Sequence, residues 1–305
     1  MLIEGFGDLS GKRSIDFDTY PLLARKIAFV EPRFFAIEDA INPHMRCSKT
    51  GDLNEVNLDL AMKQWKDLVE AYQALGLETI VWQATKGCPD MVFCANQSLP
   101  YVDRDGRSSA LMSHMASNTR QSEVAGIQQG LLSSDVRISH LLRPRDPDYL
   151  FEGTGDALWV PGRRLLCGGY GFRTKPQVYQ EVHEITNAPV ALFELKNPRF
   201  YHLDTCLSIL DESTVLACEQ AFTESAWKAL HEIFEKVIAV SLEEADSPVF
   251  ACNAHCPDQK HVVIHYQAEQ TITALSDAGF TPIAVDTSEF IKSGGSVFCM
   301  KLMYF

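Results

Sequence analysis

The residues Ser293-Gly294-Gly295-Ser296-Val297-Phe298-Cys299-Met300 carry a thiol near the end of the chain, and Phe200-Tyr201-His202-Leu203-Asp204 carry a histidine and a carboxylate far upstream. Covalent catalysis by cysteine needs a thiolate, an acid or base and an orienting group, which are often distant in sequence. The glycine pair lets the backbone turn tightly and lets a ligand approach closely. Cys299 between apolar neighbours is also typical of a buried strand, so both interpretations stay open at this point.

The composition predicts a globular protein of the cytoplasm. The chain has 305 residues, of which 46% are hydrophobic and 22% charged, so it can bury a sizeable core. A formal net charge of −13 argues against nucleic acid and anionic membrane as partners, because both bind clustered Lys and Arg. No apolar run approaches the ~20 residues of a membrane span, and the acidic N-terminus does not resemble a signal peptide. Nine cysteines, an odd number, indicate reduced thiols.

Short strands that alternate with single amphipathic helices predict an α/β fold. The clearest elements are a strand over residues 26–30 and helices over 58–75 and 224–240. Three further strands are predicted over the apolar runs 91–95, 249–254 and 296–304, and long loops over 47–57 and 98–109. No long linker rich in Pro, Gly or Ser divides the chain, so residues 21–305 are expected to form one domain after a polar leader over residues 1–20.

Several polar or glycine-rich clusters lie where predicted strands end, and each has an ordinary structural explanation when taken alone. The glycines of Gly168-Gly169-Tyr170-Gly171 resemble a dinucleotide-binding loop only superficially, because no strand–helix unit of the required length surrounds them. Cys252, His255 and Cys256 have the ligand chemistry of a zinc site, but they are crowded within a predicted strand and lack a fourth ligand. We therefore predict no metal and no cofactor, with a structural zinc module as a remote alternative.

In combination the clusters resemble the guanidino-group-modifying enzymes of the pentein superfamily. These include arginine deiminases, dimethylarginine dimethylaminohydrolases, amidinotransferases and arginine dihydrolases. Six motifs stand in the family's order, namely Asn42-Pro-His-Met45, Pro89-Asp90-Met-Val-Phe-Cys-Ala-Asn96, Glu152-Gly-Thr-Gly-Asp156, Gly169-Tyr-Gly-Phe-Arg173-Thr174, Phe200-Tyr-His202-Leu-Asp204-Thr-Cys206 and Gly294-Gly-Ser-Val-Phe-Cys299-Met300. The resemblance implies a five-bladed, pseudo-symmetric α/β propeller of ββαβ-type units. It also implies that residues 21–305 are a single catalytic domain with its substrate in the central channel.

The resemblance further implies a role for individual residues. The catalytic residues would be Cys299 as nucleophile, His202 as general acid and then general base, and Glu152 as a partner of the guanidinium. The substrate-binding residues would be Asn42, Asp90, Asn96, Arg173, which would hold the substrate carboxylate, and Asp204, which would bind the guanidinium. A basic residue also helps to bind substrate in the family, and either His114 or Arg120 could take that place. Non-catalytic pentein proteins of ribosomes lack the nucleophile and its histidine, so a binding module is only a remote alternative.

Asn96 distinguishes the branches of this family. Deiminases and dimethylaminohydrolases usually have Asp at this position, whereas Val-Phe-x-Ala-Asn resembles the arginine dihydrolases, which convert arginine to ornithine, carbon dioxide and ammonia. An amide can donate to the ureido oxygen of citrulline, which a carboxylate would repel, so Asn96 leaves room for a second attack. We therefore predict a cofactor-free arginine dihydrolase. Dimethylaminohydrolase or deiminase activity is the alternative, the partner is arginine or a methylated arginine, and a homo-oligomer is left open.

Overall fold

The computed structural model of the chain describes residues 2–4, 19–20, 24–143, 146 and 148–305. The strands in this part of the chain are β1 (Leu2–Glu4), β2 (Thr19–Tyr20), β3 (Lys26–Val30), β4 (Glu78–Trp82), β5 (Ser98–Val102), β6 (Ser108–Met112), β7 (Arg137–Ser139), β8 (Ala157–Trp159), β9 (Gly162–Arg163), β10 (Leu166–Tyr170), β11 (Val190–Glu194), β12 (Leu207–Ile209), β13 (Thr214–Ala217), β14 (Lys236–Ala239), β15 (His261–His265), β16 (Thr281–Val285) and β17 (Leu302–Tyr304). The α-helices are α1 (Leu58–Ala74), α2 (Asn118–Gln121), α3 (Val124–Ser133), α4 (Gly153–Asp156), α5 (Tyr179–Thr186), α6 (Glu224–Ile233), α7 (Leu242–Ala245), α8 (Glu269–Asp277) and α9 (Ser288–Ile291).

One structural unit recurs along the described chain, in which two antiparallel strands are followed by a helix and a parallel third strand. β5 and β6 pair antiparallel, and α3 then leads to β7, which pairs parallel with β6. The same order relates β8, β10, α5 and β11, and it relates β12, β13, α6 and β14. In another sheet β17 pairs antiparallel with β3, and α1 connects β3 to the parallel β4. A helix is the usual connection between parallel strands, so the predicted α/β class is confirmed.

The last unit of this kind has only two regular strands. β15 and β16 are parallel and joined by α8, and an isolated bridge between His255 and Val263 stands where the other units have an antiparallel strand. The residues before this bridge form a 3₁₀ turn and irregular backbone instead of a strand. Their side chains are therefore not committed to a sheet and can contribute to a site.

α1 illustrates how the sequence forms these units. The helix begins after Asn57, whose side-chain oxygen accepts a hydrogen bond from the Leu60 N–H and satisfies one of the free donors of the first turn. Leu68 and Tyr72, four residues apart, are fully buried on one face of the helix and pack in the same cluster as Phe29 of β3. Complete burial of a leucine side chain contributes roughly 1.5–3 kcal/mol, so this face fixes the helix on its sheet.

Two predicted strands are wrong and a third is only partly correct, and all three segments lie near the catalytic motifs. Residues 91–95 and 297–300 form turns, and 249–254 contains a 3₁₀ turn over Ala251–Asn253; of the segment 296–304 only β17 is a strand. Most apolar side chains of these segments are buried, but their backbones close local hydrogen bonds such as Phe93 N–H to Asp90 C=O at 2.9 Å. A short apolar run fits a buried turn as well as a strand.

Two further boundaries differ from the prediction. The helix predicted over 224–240 ends at Ile233, because Phe234 is extended and Lys236–Ala239 then continue as β14. The loop predicted over 98–109 is the hairpin of β5 and β6, whose turn is stabilised by the Asp103 carboxylate accepting hydrogen bonds from two backbone N–H groups. The predicted leader over 1–20 falls mostly outside the described residues, within which β1 pairs with β11 and β2 with β9. In the described part of the chain, no helix is both long enough and apolar enough to span a bilayer.

Candidate active site

A cavity of about 10 Å³, enough for roughly one water molecule, is lined by residues from five of the six motifs. Its polar lining side chains include Asn42, Asp90, Asn96, Arg120, Arg173 and Cys299. The other predicted site residues, Glu152, His202 and Asp204, are each hydrogen-bonded to one of these lining side chains. The fold therefore brings all eight residues singled out by the motifs into one cluster.

Cys299 lies in the turn between α9 and β17 and is 2% exposed. Its Sγ donates to Asp204 Oδ2 at 3.2 Å and accepts from Asn253 Nδ2, also at 3.2 Å. Burial and the neighbouring Asp204 carboxylate raise the pKa of the Cys299 thiol well above its ordinary value. The sulfur is thus a neutral thiol in this arrangement, and a cation placed beside it would favour the thiolate.

Asp204 is fully buried beside the thiol in the 3₁₀ turn Leu203–Thr205. Burial raises the pKa of its carboxyl to about 7, even though the hydrogen bond from Cys299 acts in the opposite direction. Among the described residues its Oδ1 atom has no hydrogen-bond partner. A buried carboxylate oxygen without a partner is costly, so this atom is suited to receive an N–H group of a ligand.

Glu152 orients the imidazole of His202. Its Oε2 lies 2.6 Å from His202 Nε2 and 3.2 Å from Arg173 Nη1, and its Oε1 accepts the Ala116 N–H at 2.8 Å. Burial alone would raise the pKa of Glu152, but Arg173 and His202 outweigh it and hold that pKa below its ordinary range. The carboxylate is therefore ionised and its acceptor positions are occupied. In this arrangement Glu152 contacts His202, Arg173 and the Ala116 backbone, and the guanidinium contact expected for it stays a prediction.

His202 is buried with its two ring nitrogens in different surroundings. Because Glu152 accepts at Nε2, that nitrogen carries the proton in the neutral ring, an assignment made from the hydrogen-bonding partner. The other nitrogen, Nδ1, lies 3.5 Å from the Asn96 amide nitrogen, which is on the cavity wall. Nδ1 is therefore the atom of His202 that can take up or release a proton on the cavity side.

Asn96 has a fixed amide orientation. Arg120 Nη1 donates to Asn96 Oδ1 at 2.7 Å, and because a guanidinium has only donors, the oxygen and nitrogen of the amide are distinguishable. Arg120 is itself held by the Phe93 carbonyl at 2.7 Å and by Glu123 at 3.1 Å. The Asn96 NH₂ group consequently points away from Arg120 and towards His202.

Arg173, Asn42 and Asp90 connect the loops around the cavity. Arg173 Nη2 donates to the Ile41 carbonyl at 2.6 Å, and its guanidinium lies 5.0 Å from the Tyr201 ring centre. Asn42 Nδ2 donates to the Ser293 carbonyl at 2.9 Å, and Asp90 Oδ1 accepts from the Ser293 hydroxyl at 3.1 Å. Both side chains thus hold the loop that precedes Cys299 against the cavity.

The two basic residues left open by the motifs have different positions. Arg120 lines the cavity, whereas the His114 ring bonds the Tyr149 carbonyl through Nδ1 at 3.1 Å and its backbone pairs with Phe151. Arg120 is therefore the basic residue that this part of the chain contributes to the site.

The two glycines of the Glu152–Asp156 motif are required by close packing. Gly153 has φ +51°, and a Cβ there would lie 2.4 Å from the Ser98 carbonyl oxygen. A Cβ at Gly155 would lie 2.3 Å from the Asn96 amide nitrogen and 3.3 Å from the His202 ring. Side chains at these positions would displace the groups that form the site.

Asn253, Tyr201 and Asp156 are functional neighbours that the motifs did not assign. Asn253 contacts the nucleophile, and it also accepts the Ser296 and Cys299 N–H groups through Oδ1. Asp156 accepts the Leu203 N–H and the Thr174 hydroxyl, which joins the Glu152 motif to the His202 and Arg173 motifs. The only sequence signal for Asn253 was its place in the polar Cys252–Cys256 segment. Within the described residues no group of three or more His, Cys, Asp or Glu side chains has the arrangement of a metal site.

Comparison with known proteins identifies the family of this chain. The sequence profile of a family described as N,N dimethylarginine dimethylhydrolase, eukaryotic, matches residues 31–305. The N(G),N(G)-dimethylarginine dimethylaminohydrolase of Mycobacterium tuberculosis is 36% identical over 278 residues, which cover 91% of this chain and 85% of that protein. The bifunctional arginine dihydrolase/ornithine cyclodeaminase ArgZ of Synechocystis is 28% identical over 91% of this chain, which spans 37% of the length of ArgZ.

Solved structures of related proteins share the fold of this chain. The substrate-bound N-terminal domain of ArgZ, an arginine dihydrolase, superposes with a TM-score of 0.82 at 27% identity, covering 91% of this chain and 97% of that domain. A dimethylarginine dimethylaminohydrolase structure shares the fold with a TM-score of 0.71 at 19% identity. The chain belongs to the dimethylarginine dimethylhydrolase family, and it is an enzyme that hydrolyses the carbon–nitrogen bonds of amidines.

Proposed function

We propose that this enzyme hydrolyses the guanidino group of L-arginine twice and releases ornithine, carbon dioxide and two molecules of ammonia. The orientation of Asn96 carries this proposal. Arg120 holds Asn96 Oδ1 at 2.7 Å, so the NH₂ group of this lining residue is turned towards His202, and one of its two N–H donors is left for a ligand in the cavity. A donor at this point suits the ureido oxygen of citrulline, whereas an aspartate would suit the N–H groups of arginine and repel that oxygen. Citrulline is then held for a second attack rather than released.

In the first half of the proposed reaction the arginine guanidinium binds beside Asp204, with an N–H group on the unpartnered Oδ1 atom. The positive charge next to the sulfur favours loss of the Cys299 thiol proton to solvent, and the thiolate attacks the guanidinium carbon. His202 Nδ1, protonated and supported by Glu152, gives its proton to the departing nitrogen, and ammonia leaves. The neutral imidazole then takes a proton from water, which hydrolyses the amidino thioether to citrulline.

The second half repeats these steps on the ureido carbon. Cys299 attacks, a second ammonia leaves and a thiocarbamate ester remains on the sulfur. Water attacks this ester, the sulfur departs, and the resulting carbamate decomposes to ornithine and carbon dioxide. The overall change consumes two water molecules for each arginine. Arg173 and Arg120, which line the cavity, are the groups that we propose for the substrate carboxylate, because their guanidinium groups match its geometry.

The clustering of the site residues also bears on how the strand–helix units are arranged. We propose that the five strand–helix units form a closed five-bladed propeller, with the cavity in its central channel. This arrangement explains why side chains from segments as distant in sequence as Asn42, Asn96, His202 and Cys299 form one cluster.

A cavity of about 10 Å³ is too small for arginine, so the loops that hold Asn42 and Ser293 have to move when substrate binds.

Dimethylarginine dimethylaminohydrolase activity is the second candidate, and the family profile and the mycobacterial relative favour it by their names. That reaction uses the same nucleophile and histidine but ends at citrulline and dimethylamine. The two candidates differ in whether the enzyme accepts methylated guanidines and whether it cleaves citrulline.

The experiment is an incubation of the purified enzyme with arginine, citrulline and asymmetric dimethylarginine in parallel, with Cys299→Ser as the control. The proposal expects ornithine and two ammonia molecules per arginine consumed, and no product from the control. Citrulline as the end product from arginine, or turnover of dimethylarginine alone, would overturn the dihydrolase assignment.

A further inference from the structure

A second cavity, of about 130 Å³, lies on the other side of the loops that carry the catalytic residues. Thr154, two residues after Glu152, lines it, and so do Phe298 and Lys301, which flank Cys299 in the chain. None of its lining residues lines the active-site cavity among the described residues. The two cavities are thus separate, and the backbone segments that carry Glu152 and Cys299 lie between them.

The walls of this cavity are mostly apolar and aromatic, with one cation. Trp159, Phe298 and Phe305 contribute rings, and Lys301, which is 3% exposed, contributes an ammonium group. Lys301 Nζ lies 3.3 Å from the Phe298 ring centre, a cation–π contact. Within the described part of the chain Lys301 has neither an ion pair nor a hydrogen bond from its side chain. A buried ammonium without an anion is costly, so this wall is suited to a negatively charged ligand.

We propose that this cavity binds a small monocarboxylate with a flat apolar body, of the size of benzoate, with the carboxylate on Lys301 and the ring between Trp159 and Phe298. The volume is close to that of an apolar protein cavity of roughly 150 Å³ that holds a benzene molecule, so it suits a ligand with a single six-membered ring. The single cation supports a single negative charge. Asp204, Cys94 and Cys299 are the other ionisable groups that act on Lys301, and none of them lines this cavity. His255 and Cys256 do line it, but burial lowers the pKa of His255 well below its ordinary value and raises the pKa of the Cys256 thiol to about 12, so both are neutral near pH 7.

The test measures binding of para-fluorobenzoate to the full chain by fluorine NMR, with para-fluorobenzyl alcohol as the neutral probe of the same shape. We expect the wild-type protein to bind the acid at least about tenfold more tightly than the alcohol, because a charge-assisted hydrogen bond contributes about 1.5–3 kcal/mol. In Lys301→Met this preference should disappear while the alcohol still binds. Ile209→Trp, which places a larger side chain in the cavity wall, should abolish binding of both probes.

A second measurement uses the wild-type protein alone, in case Lys301→Met does not fold. Burial lowers the pKa of Lys301 to about 7, so its positive charge, and with it the affinity for the acid, should fall as the pH rises above neutrality. The affinity for the alcohol should stay constant over the same range. Equal binding of acid and alcohol, unchanged acid binding in Lys301→Met or Ile209→Trp, or no binding of the acid would each overturn the proposal. None of these results depends on which guanidino substrate the enzyme hydrolyses.

Discussion

Replacing Glu152 by glutamine tests how the active site works, because the two roles considered for this residue predict different kinetics. The Ala116 N–H needs the Oε1 acceptor at 2.8 Å, so the new NH₂ group must take the place of Oε2. It would then face His202 Nε2 and Arg173 Nη1, both donors, across distances of 2.6 and 3.2 Å. The imidazole loses the charge that supports its protonated form, and its preferred tautomer reverses.

The size of the effect follows from the step that is lost. General acid–base catalysis contributes about 10²–10⁴-fold, so we expect kcat to fall by about that factor, which corresponds to roughly 3–5 kcal/mol of transition-state stabilisation. KM should change less than kcat, because Glu152 does not line the cavity and acts on the substrate only through His202 and Arg173. If Glu152 instead held the substrate guanidinium, the same substitution would raise KM.

Steady-state kinetics over a range of pH values, together with thermal denaturation, provides the assay. The matched control is Glu244→Gln, which also removes a buried carboxylate that accepts several hydrogen bonds, but in contact with Gln270 and Thr271. The control should lose stability and keep its kcat. A folded Glu152→Gln enzyme with wild-type kcat, or one whose only defect is a raised KM, would refute the positioning role.

Three other substitutions give separate tests. Asn96→Asp should release citrulline instead of ornithine, because the new carboxylate repels the ureido oxygen; amino-acid analysis of the products decides, and unchanged ornithine output would contradict the role of Asn96. Asp204→Asn should abolish turnover and, relative to wild type, gain stability as the pH rises from about 4 to about 8. The carboxyl titrates at about 7 in the folded protein and near 3.9 when unfolded, so over that range the unfolded state binds fewer protons and Asp204 destabilises the fold. A stability difference that does not vary with pH in thermal denaturation would refute this. Gly155→Ala should lower kcat, since its Cβ would lie 2.3 Å from the Asn96 amide nitrogen, and wild-type kinetics in a folded variant would show that Asn96 need not hold its position.

Helical periodicity and motif order were sufficient to predict much of this protein. The stripe of apolar residues at helical spacing gave α1 to within a residue, and the order of the six motifs gave the family. Both signals can be read from a single sequence, because helical periodicity is a local pattern and the motifs are recognised by their order along the chain. The prediction was weaker for residues 91–95 and 249–254, where burial comes from packing around the cavity and not from pairing in a sheet.

The geometry within the site was not predictable for a related reason. The hydrogen bond of Asn253 to the nucleophile joins residues 46 apart, and its place in the polar Cys252–Cys256 segment does not mark it as a neighbour of Cys299. The role of Glu152 depends on which side chains reach its oxygens, and the orientation of Asn96 depends on Arg120. Such contacts between distant segments are set by tertiary packing, which motif spacing does not describe.

The fate of the guanidino carbon tests the central proposal most directly. Arginine labelled with carbon-13 at this position would be followed by carbon NMR during turnover, with Cys299→Ser as the inactive control. We expect the label to pass from the guanidino signal to bicarbonate while ornithine accumulates, and we expect the control to leave it unchanged. A label that stops in the ureido group of citrulline, or one that reaches bicarbonate in the absence of the Cys299 thiol, would contradict it.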